Sequence, residues 1–391
     1  MSCEEYLSEN VKKVGTSLLW QFFELAKTTP NVISLSVGEP DFHTPWHISE
    51  EGVYAIEKGR TYYSPSRGLL QLREGICDYY DRRFHVTGYT AENCLVTVGA
   101  SESIDLVTRA CLNPGDECIV LDPGYVAYEP AVLLTGAVPV CLELKEEDGF
   151  KVKPEALKAV ITDRTRMIIL NYPSNPTGGI MTHEDYEKII PILKEHHLLV
   201  VCDEIYAELT YDHTPESIGV FTEIRDQLIL VNGFSKAYSM TGWRLGYMLG
   251  PAEFITACNN IHQYSTMGPM TPAQFAAIEA ISDKSDKDIQ THFDSFKIRR
   301  NFLVAQLNKM GLHTPMPEGA FYVFANITST GLKSFDFCTK LLQEEAVCVI
   351  PGTAFGRSGE GFVRISYAYS LDELKGAVER LARFVRKYNS R

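Results

Sequence analysis

Between residues 95 and 249 the chain alternates short apolar runs with longer stretches of helical period. The runs are Leu95–Val98, Glu117–Leu121, Val138–Leu142, Arg166–Leu170, Leu198–Cys202, Leu228–Val231 and Leu245–Leu249. Apolar runs without polar alternation suit strands covered on both faces, and strands alternating with helices read as βαβ units. The pattern predicts an α/β fold with a mostly parallel seven-stranded sheet covered by helices. Towards the C-terminus the rhythm changes. Helical periodicity covers Phe293–Met310, Ser334–Glu344 and Leu371–Tyr388, with strand-like Phe321–Ala325, Val347–Ile350 and Phe362–Tyr367 between them. That is an α+β pattern. Val32–Val37 also reads as a strand, too far from the central alternation to belong to it, and is expected to pack with the C-terminal part. The predicted division is a large domain over residues 46–285 and a smaller, discontinuous α+β domain over 1–45 and 286–391.

A chain of 391 residues exceeds one ordinary core, which agrees with two domains. Apolar residues at 45% and charged residues at 22% mark a globular protein. The net charge of −13 argues against nucleic acid and anionic membrane surfaces as partners, while leaving room for a local basic pocket. No apolar run approaches the length of a membrane span. The opening MSCEEYLSEN is acidic and polar, unlike a secretory signal. Ten cysteines are scattered from Cys3 to Cys348 without a CxxC pair, and no His cluster has ligand spacing. Reduced, buried thiols in a cytoplasmic protein without a metal site are the expectation.

In open α/β sheets ligands bind beyond the carboxyl ends of the strands, so the residues that follow each run carry the candidate chemistry. Gly99–Ala100–Ser101 opens a helical stretch, Glu102–Cys111, whose free N–H groups suit an anion; a plain Ser cap is the alternative. Asp122–Pro123–Gly124–Tyr125 reads as a turn presenting an aromatic ring. In Asn171–Gly178 two prolines stiffen a loop that holds the Asn175 amide. Asp203, ending a very apolar strand, needs a cation or donors unless it caps a helix, and Tyr206 follows it. Ser235–Lys236 follows Leu228–Val231. Lys236 has small and aromatic neighbours, and a lysine in a dry setting is a nucleophile, where an exposed loop lysine would be unremarkable. Arg244 then offers a two-pronged contact to phosphate or carboxylate.

No GxGxxG follows the first strand and no GxxxxGK[ST] occurs, which argues against dinucleotide and P-loop chemistry. A lysine amine, a carboxylate for a ring nitrogen and a phosphate cradle together match what pyridoxal 5'-phosphate requires.

With these residues in place, the chain resembles the fold-type I, class I/II pyridoxal-phosphate aminotransferases, in the aspartate and aromatic aminotransferase branch. The resemblance runs through SLSVGEPDF (34–42), YYSPSRGLLQLREGI (62–76), VTVGASESI (96–104), NYPSNPTG (171–178), DEIY (203–206), SKAYSMTGWRLGY (235–247) and VRISYA (363–368). It implies transfer of an amino group from an L-amino acid to a 2-oxo acid, such as 2-oxoglutarate, by a ping-pong mechanism. Lys236 would carry the cofactor as a Schiff base and shuttle the proton. Asp203 would pair with the ring nitrogen, Asn175 and Tyr206 with the ring hydroxyl, and Tyr125 would stack on the ring. Ala100, Ser101, Ser235 and Arg244 would hold the phosphate. Tyr63 would reach the phosphate of a neighbouring subunit, which implies a homodimer with shared sites. Arg364, with Asn175 and the Gly38 backbone, would grip the substrate α-carboxylate.

Two stretches bear on the substrate. Family members specialised for dicarboxylates carry an arginine in the segment matching 259–266, and this chain has none there. The stretch Thr16–Phe23 is apolar and aromatic, which fits either helix packing or a hydrophobic or aromatic amino donor. A C–S β-lyase would share Lys236, Asp203 and Arg364, but usually carries a different stretch where this chain has SVGEPDF. A transcription regulator with this fold would need a basic module before residue 36, where there is no room for one.

Overall fold

The computed structural model describes residues 3–389. Twelve strands are described in chain order: β1 Ile33–Ser34, β2 Cys94–Thr97, β3 Glu117–Asp122, β4 Val138–Glu143, β5 Thr165–Asn171, β6 Leu199–Asp203, β7 Leu228–Gly233, β8 Gly246–Leu249, β9 Tyr322–Asn326, β10 Val347–Cys348, β11 Ile350–Pro351 and β12 Phe362–Ser366. The seven predicted central strands form one sheet in the order β2-β8-β7-β6-β5-β3-β4. From β4 to β7 all pairings are parallel. β8 alone runs against both of its neighbours.

The reversed direction of β8 has a local cause. The connection from β7 carries only turns and the short 3-10 segment Thr241–Trp243. It lacks the crossover helix that usually joins parallel strands. Gly233 therefore lies opposite Gly246, and Arg244, which precedes β8, returns to the edge from which Ser235 and Lys236 leave β7.

β2, β3, β6, β7 and β8 are buried along their whole length. Burying each Val, Leu or Ile contributes roughly 1.5–3 kcal/mol, so these short runs are held firmly, and the polar residues that end β2, β3 and β6, namely Thr97, Asp122 and Asp203, are carried inside with them. β4 departs from the pattern: it lies at one edge of the sheet, and five of its six residues are exposed or half-buried, Val138 and Cys141 among the exposed ones.

β9, β11 and β12 form a second, antiparallel sheet in the order β11-β12-β9. Val347–Ile350, expected as one strand, is two: Val347–Cys348 pairs in parallel with Ile33–Ser34, and Ile350–Pro351 pairs with β12. The run is buried throughout, so its hydrophobic pattern is continuous while its hydrogen-bond partner changes. The Val32–Val37 expectation shrinks to Ile33–Ser34, paired with the C-terminal part as anticipated. The helix expected at Phe293–Met310 starts earlier, giving Asp286–Lys309. Among the described residues, no helix is long and apolar enough to cross a membrane.

Candidate active site

A cleft of about 610 Å³ opens along the carboxyl edge of the seven-stranded sheet, between it and the antiparallel sheet. Ala100, Ser101, Tyr125, Asn175, Asp203, Tyr206, Ser235, Lys236, Arg244, Gly38 and Arg364 all line it. Tyr63 does not; it is 82% exposed on a loop away from the cleft.

Lys236 Nζ donates to the carbonyl of Gly38 at 2.7 Å. Burial draws its pKa down to about 8; Arg364 and Arg244 act in the same direction, while Glu39 and Asp203 oppose them. An ammonium out of water loses its hydration, so the neutral amine gains. Glu39 accepts from the Thr241 hydroxyl at the same cleft.

Asp203 ends β6 and is buried. Burial pushes its pKa up to about 6, against the donors that favour its ionised form. These are the Ile205 N–H to Oδ1 at 3.1 Å and the Tyr128 hydroxyl to Oδ2 at 2.9 Å. The first bond is the local cap that Asp residues make; the second reaches across the site. Asn171 Nδ2 holds the Asp203 carbonyl at 2.9 Å, and Asn171 Oδ1 accepts the N–H of Asn175 at 3.0 Å.

Arg364 rises from β12 into the same space, wholly buried. Nη1 donates to Asn175 Oδ1 at 2.9 Å and Nη2 to the carbonyl of Ser36 at 2.5 Å. Among the described residues its Nε has no partner. Its guanidinium carbon lies 4.5 Å from the Tyr322 ring centroid and 4.7 Å from that of Phe355. A buried guanidinium that meets no carboxylate among the described residues is costly, which marks a place for an anion. Tyr206 and Tyr322 share a hydrogen bond between their hydroxyls at 2.8 Å.

The helix Ala100–Cys111 starts at the cleft with Gly99 before it, φ 80°. A Cβ on Gly99 would lie 2.9 Å from Arg244 Nη2, and one on Gly246 would lie 2.4 Å from the N–H nitrogen of Ala100. Glycine at both positions keeps the helix start open beside the guanidinium, a cradle for an anion. Ser235 lines the same cleft.

Sequence reasoning missed several cleft residues. Tyr128 was signalled only by its spacing, three residues after Tyr125. Tyr322 is hidden within a strand-like apolar run. Ser36 and Asn171 contribute through backbone carbonyl and amide contacts that no pattern announces. Of the segment Thr16–Phe23, the helix Leu18–Thr28 turns Leu19, Trp20 and Phe23 to the cleft.

Residues 30–381 match the family described as aminotransferase class I and II. The chain is a class I and II aminotransferase. This aminotransferase is 42% identical to a putative aminotransferase, YugH, of Bacillus subtilis over 98% of its own length and 99% of the relative's. It is 37% identical to aromatic-amino-acid aminotransferase 2 of Thermococcus litoralis, covering 97% of this chain and 98% of that one. It is 38% identical to an aspartate aminotransferase of Pyrococcus abyssi, with 97% and 98% covered. In structure it superposes on an aromatic aminotransferase from Pyrococcus horikoshii with a TM-score of 0.90 at 39% identity, over 94% of this chain and 99% of the other. It also superposes on an aspartate aminotransferase from Thermus thermophilus with maleate, with a TM-score of 0.92 at 35% identity, over 96% and 99%. The aminotransferase therefore moves amino groups between amino acids and oxo acids, on the fold that its hydrophobic pattern predicted.

Proposed function

We propose that this aminotransferase uses pyridoxal 5'-phosphate to move the amino group of a hydrophobic or aromatic L-amino acid to a 2-oxo acid such as 2-oxoglutarate. The observation that carries the reading is a cleft joining a lysine of depressed pKa, a buried carboxylate and an open cationic cradle. The residues fit the cofactor. The N–H groups of Ala100 and Ser101, the Ser101 and Ser235 hydroxyls and Arg244 would hold its phosphate, Asp203 its ring nitrogen, Asn175 and Tyr206 its ring hydroxyl, and Tyr125 its ring face. When bound, the cofactor supplies an aldehyde for an amine and a ring that accepts an electron pair from the substrate α-carbon.

The chain's own residues do the rest. Lys236 Nζ takes the proton from the substrate α-carbon and returns it to the other side of the transfer, a task suited to an amine titrating near neutrality. Asp203, ionised above about pH 6, keeps a proton on the ring nitrogen. Arg364, with Asn175 and the Gly38 backbone, receives the α-carboxylate. Leu19, Trp20 and Phe23 present an apolar wall to the side chain and exclude water. The absence of arginine from 259–266 agrees with a substrate that is not strictly dicarboxylic.

The proposal extends to a homodimer with Tyr63 completing the neighbour's phosphate site. Supporting it, Tyr62, Tyr63 and Tyr264 are 83%, 82% and 88% exposed. The Thr271 hydroxyl bonds the Tyr62 carbonyl at 2.6 Å and Gln274 bonds Ser64 at 2.9 Å, so the segment carrying Tyr62 and Tyr63 is held against the helix Thr271–Ala280 with its aromatic side chains outward, as on surfaces that partners cover. The division at 45/46 and 285/286 and a cytoplasmic location are part of the same reading. Pairing of β1 with β10 and nine free described cysteines support them.

The test is a half-reaction screen. The cofactor-loaded enzyme is mixed with each amino acid in turn, and the loss of its visible absorbance is followed. Fastest loss with phenylalanine, tyrosine, tryptophan or leucine is expected. Release of pyruvate and ammonia from cystathionine, without amino transfer to 2-oxoglutarate, would contradict the proposal.

A further inference from the structure

The turn that carries Tyr125 is tied to the loop that backs Arg364. β3 ends at Asp122, a buried carboxylate. Its Oδ2 accepts the N–H of Arg357 at 3.2 Å and its Oδ1 that of Ser358 at 3.1 Å. Two residues on, the N–H of Gly124 donates to the carbonyl of Phe355 at 2.8 Å. Phe355 in turn packs its buried ring against the Arg364 guanidinium.

The fit admits little else. Gly356 adopts φ 129°, and a Cβ there would lie 2.0 Å from Asp122 Oδ1. The carboxylate therefore occupies the room that a side chain at 356 would need. The loop it holds consists of two single-turn 3-10 segments, Gly352–Phe355 and Arg357–Gly359, too short to fix their own position. Two converging N–H groups suit the two oxygens of a carboxylate; an asparagine would turn its amide N–H groups toward one of these donors. Asp122 itself does not line the cleft. It faces a separate cavity of about 200 Å³ with Lys13, Glu129 and Cys141.

We propose that Asp122 is a positioning residue for amino-group transfer. With Gly356 it latches the Phe355 loop to the Tyr125 turn, and so fixes how the Arg364 guanidinium meets the substrate α-carboxylate. The inference rests on the reading of Arg364 as the carboxylate clamp. It assigns the latch a selective effect: losing it weakens the carboxylate's grip and leaves the reacting amine's access to the cofactor unchanged.

The experiment compares two small amines on the enzyme loaded with pyridoxal phosphate. One is 2-aminoisobutyrate, which has an α-carboxylate and no α-hydrogen to lose. The other is isopropylamine, which lacks the carboxylate. Dissociation constants come from the change in cofactor absorbance at one pH. The wild-type enzyme should prefer 2-aminoisobutyrate, and Arg364→Leu should abolish that preference. Asp122→Ala and Gly356→Ala should each cut the preference by roughly tenfold, within the roughly hundredfold that an ångström-scale misplacement can cost, with Asp122→Asn between them and the wild type. Affinity for isopropylamine should stay within about twofold in the Asp122 and Gly356 variants. Should Asp122→Ala not fold, Asp122→Asn and Gly356→Ala carry the comparison. Loss of preference in Arg364→Leu but not in the latch variants overturns the latch alone. A wild-type enzyme without preference, or an Arg364→Leu enzyme that keeps it, overturns the clamp and the latch together. Equal weakening of both amines in the latch variants shows general disruption and also refutes the proposal.

Discussion

Tyr128→Phe isolates the bond that holds the Asp203 carboxylate ionised. Its hydroxyl lies 2.9 Å from Asp203 Oδ2, and both residues are buried. The substitution keeps the ring and removes only the donor, while Oδ1 retains the Ile205 N–H. A hydrogen bond to a charged acceptor contributes about 1.5–3 kcal/mol, and 1.36 kcal/mol is one pKa unit. The Asp203 pKa, about 6 in the wild-type protein, should therefore move to between about 7 and 8 in the variant. Folding raises this carboxyl above its unfolded value of about 3.9, so the native state holds the extra proton between the two values and stability falls as pH rises through that interval. In the wild type the fall ends near pH 6; in the variant it continues to between about pH 7 and 8. The two stability curves should run parallel below about pH 6 and separate by about 1.5–3 kcal/mol above about pH 8. Urea unfolding of both proteins without cofactor, at pH 5 and pH 8.5 and one protein concentration, measures this. An equal difference at the two pH values would refute the reasoning, because it would mean that the lost bond does not sense the charge on Asp203.

Trp20→Ala should lower kcat/KM for aromatic donors by about tenfold, on the scale of a lost aromatic contact, and change alanine turnover little; parallel loss on both would remove Trp20 from side-chain recognition. Tyr63→Phe and Lys236→Ala subunits, co-expressed, should recover activity in hybrid dimers, since one of the two sites then has its own Lys236 and the partner's intact tyrosine. Absence of recovery, with hybrids confirmed by mass, would place Tyr63 outside the neighbour's site.

The central sheet was legible because an unalternating apolar run has few places to go other than the interior, and five of the seven runs were followed by residues with chemistry. Asp203 and Lys236 stood out as charged or polar groups against apolar strands, and both line the cleft. The direction of β8 was not legible, since it depends on a connection without a helix rather than on the strand's composition. Tyr322 was hidden for another reason: in Phe321–Ala325 a phenol counts as one more strand-forming aromatic until its hydroxyl is seen bonded to that of Tyr206. Asp122 read as the start of a turn. Its carboxylate gains its meaning only from the backbone of residues 357 and 358, more than two hundred positions away.

The claim on which the account turns is that the Lys236 amine is the group that carries the cofactor. Borohydride reduction of the pyridoxal-phosphate-loaded enzyme, followed by peptide mass spectrometry, tests it directly. The account predicts that the reduced cofactor is attached at Lys236 alone, and that Lys236→Ala shows neither label nor amino transfer. A label on another lysine, or amino transfer at the wild-type rate in Lys236→Ala, would contradict it.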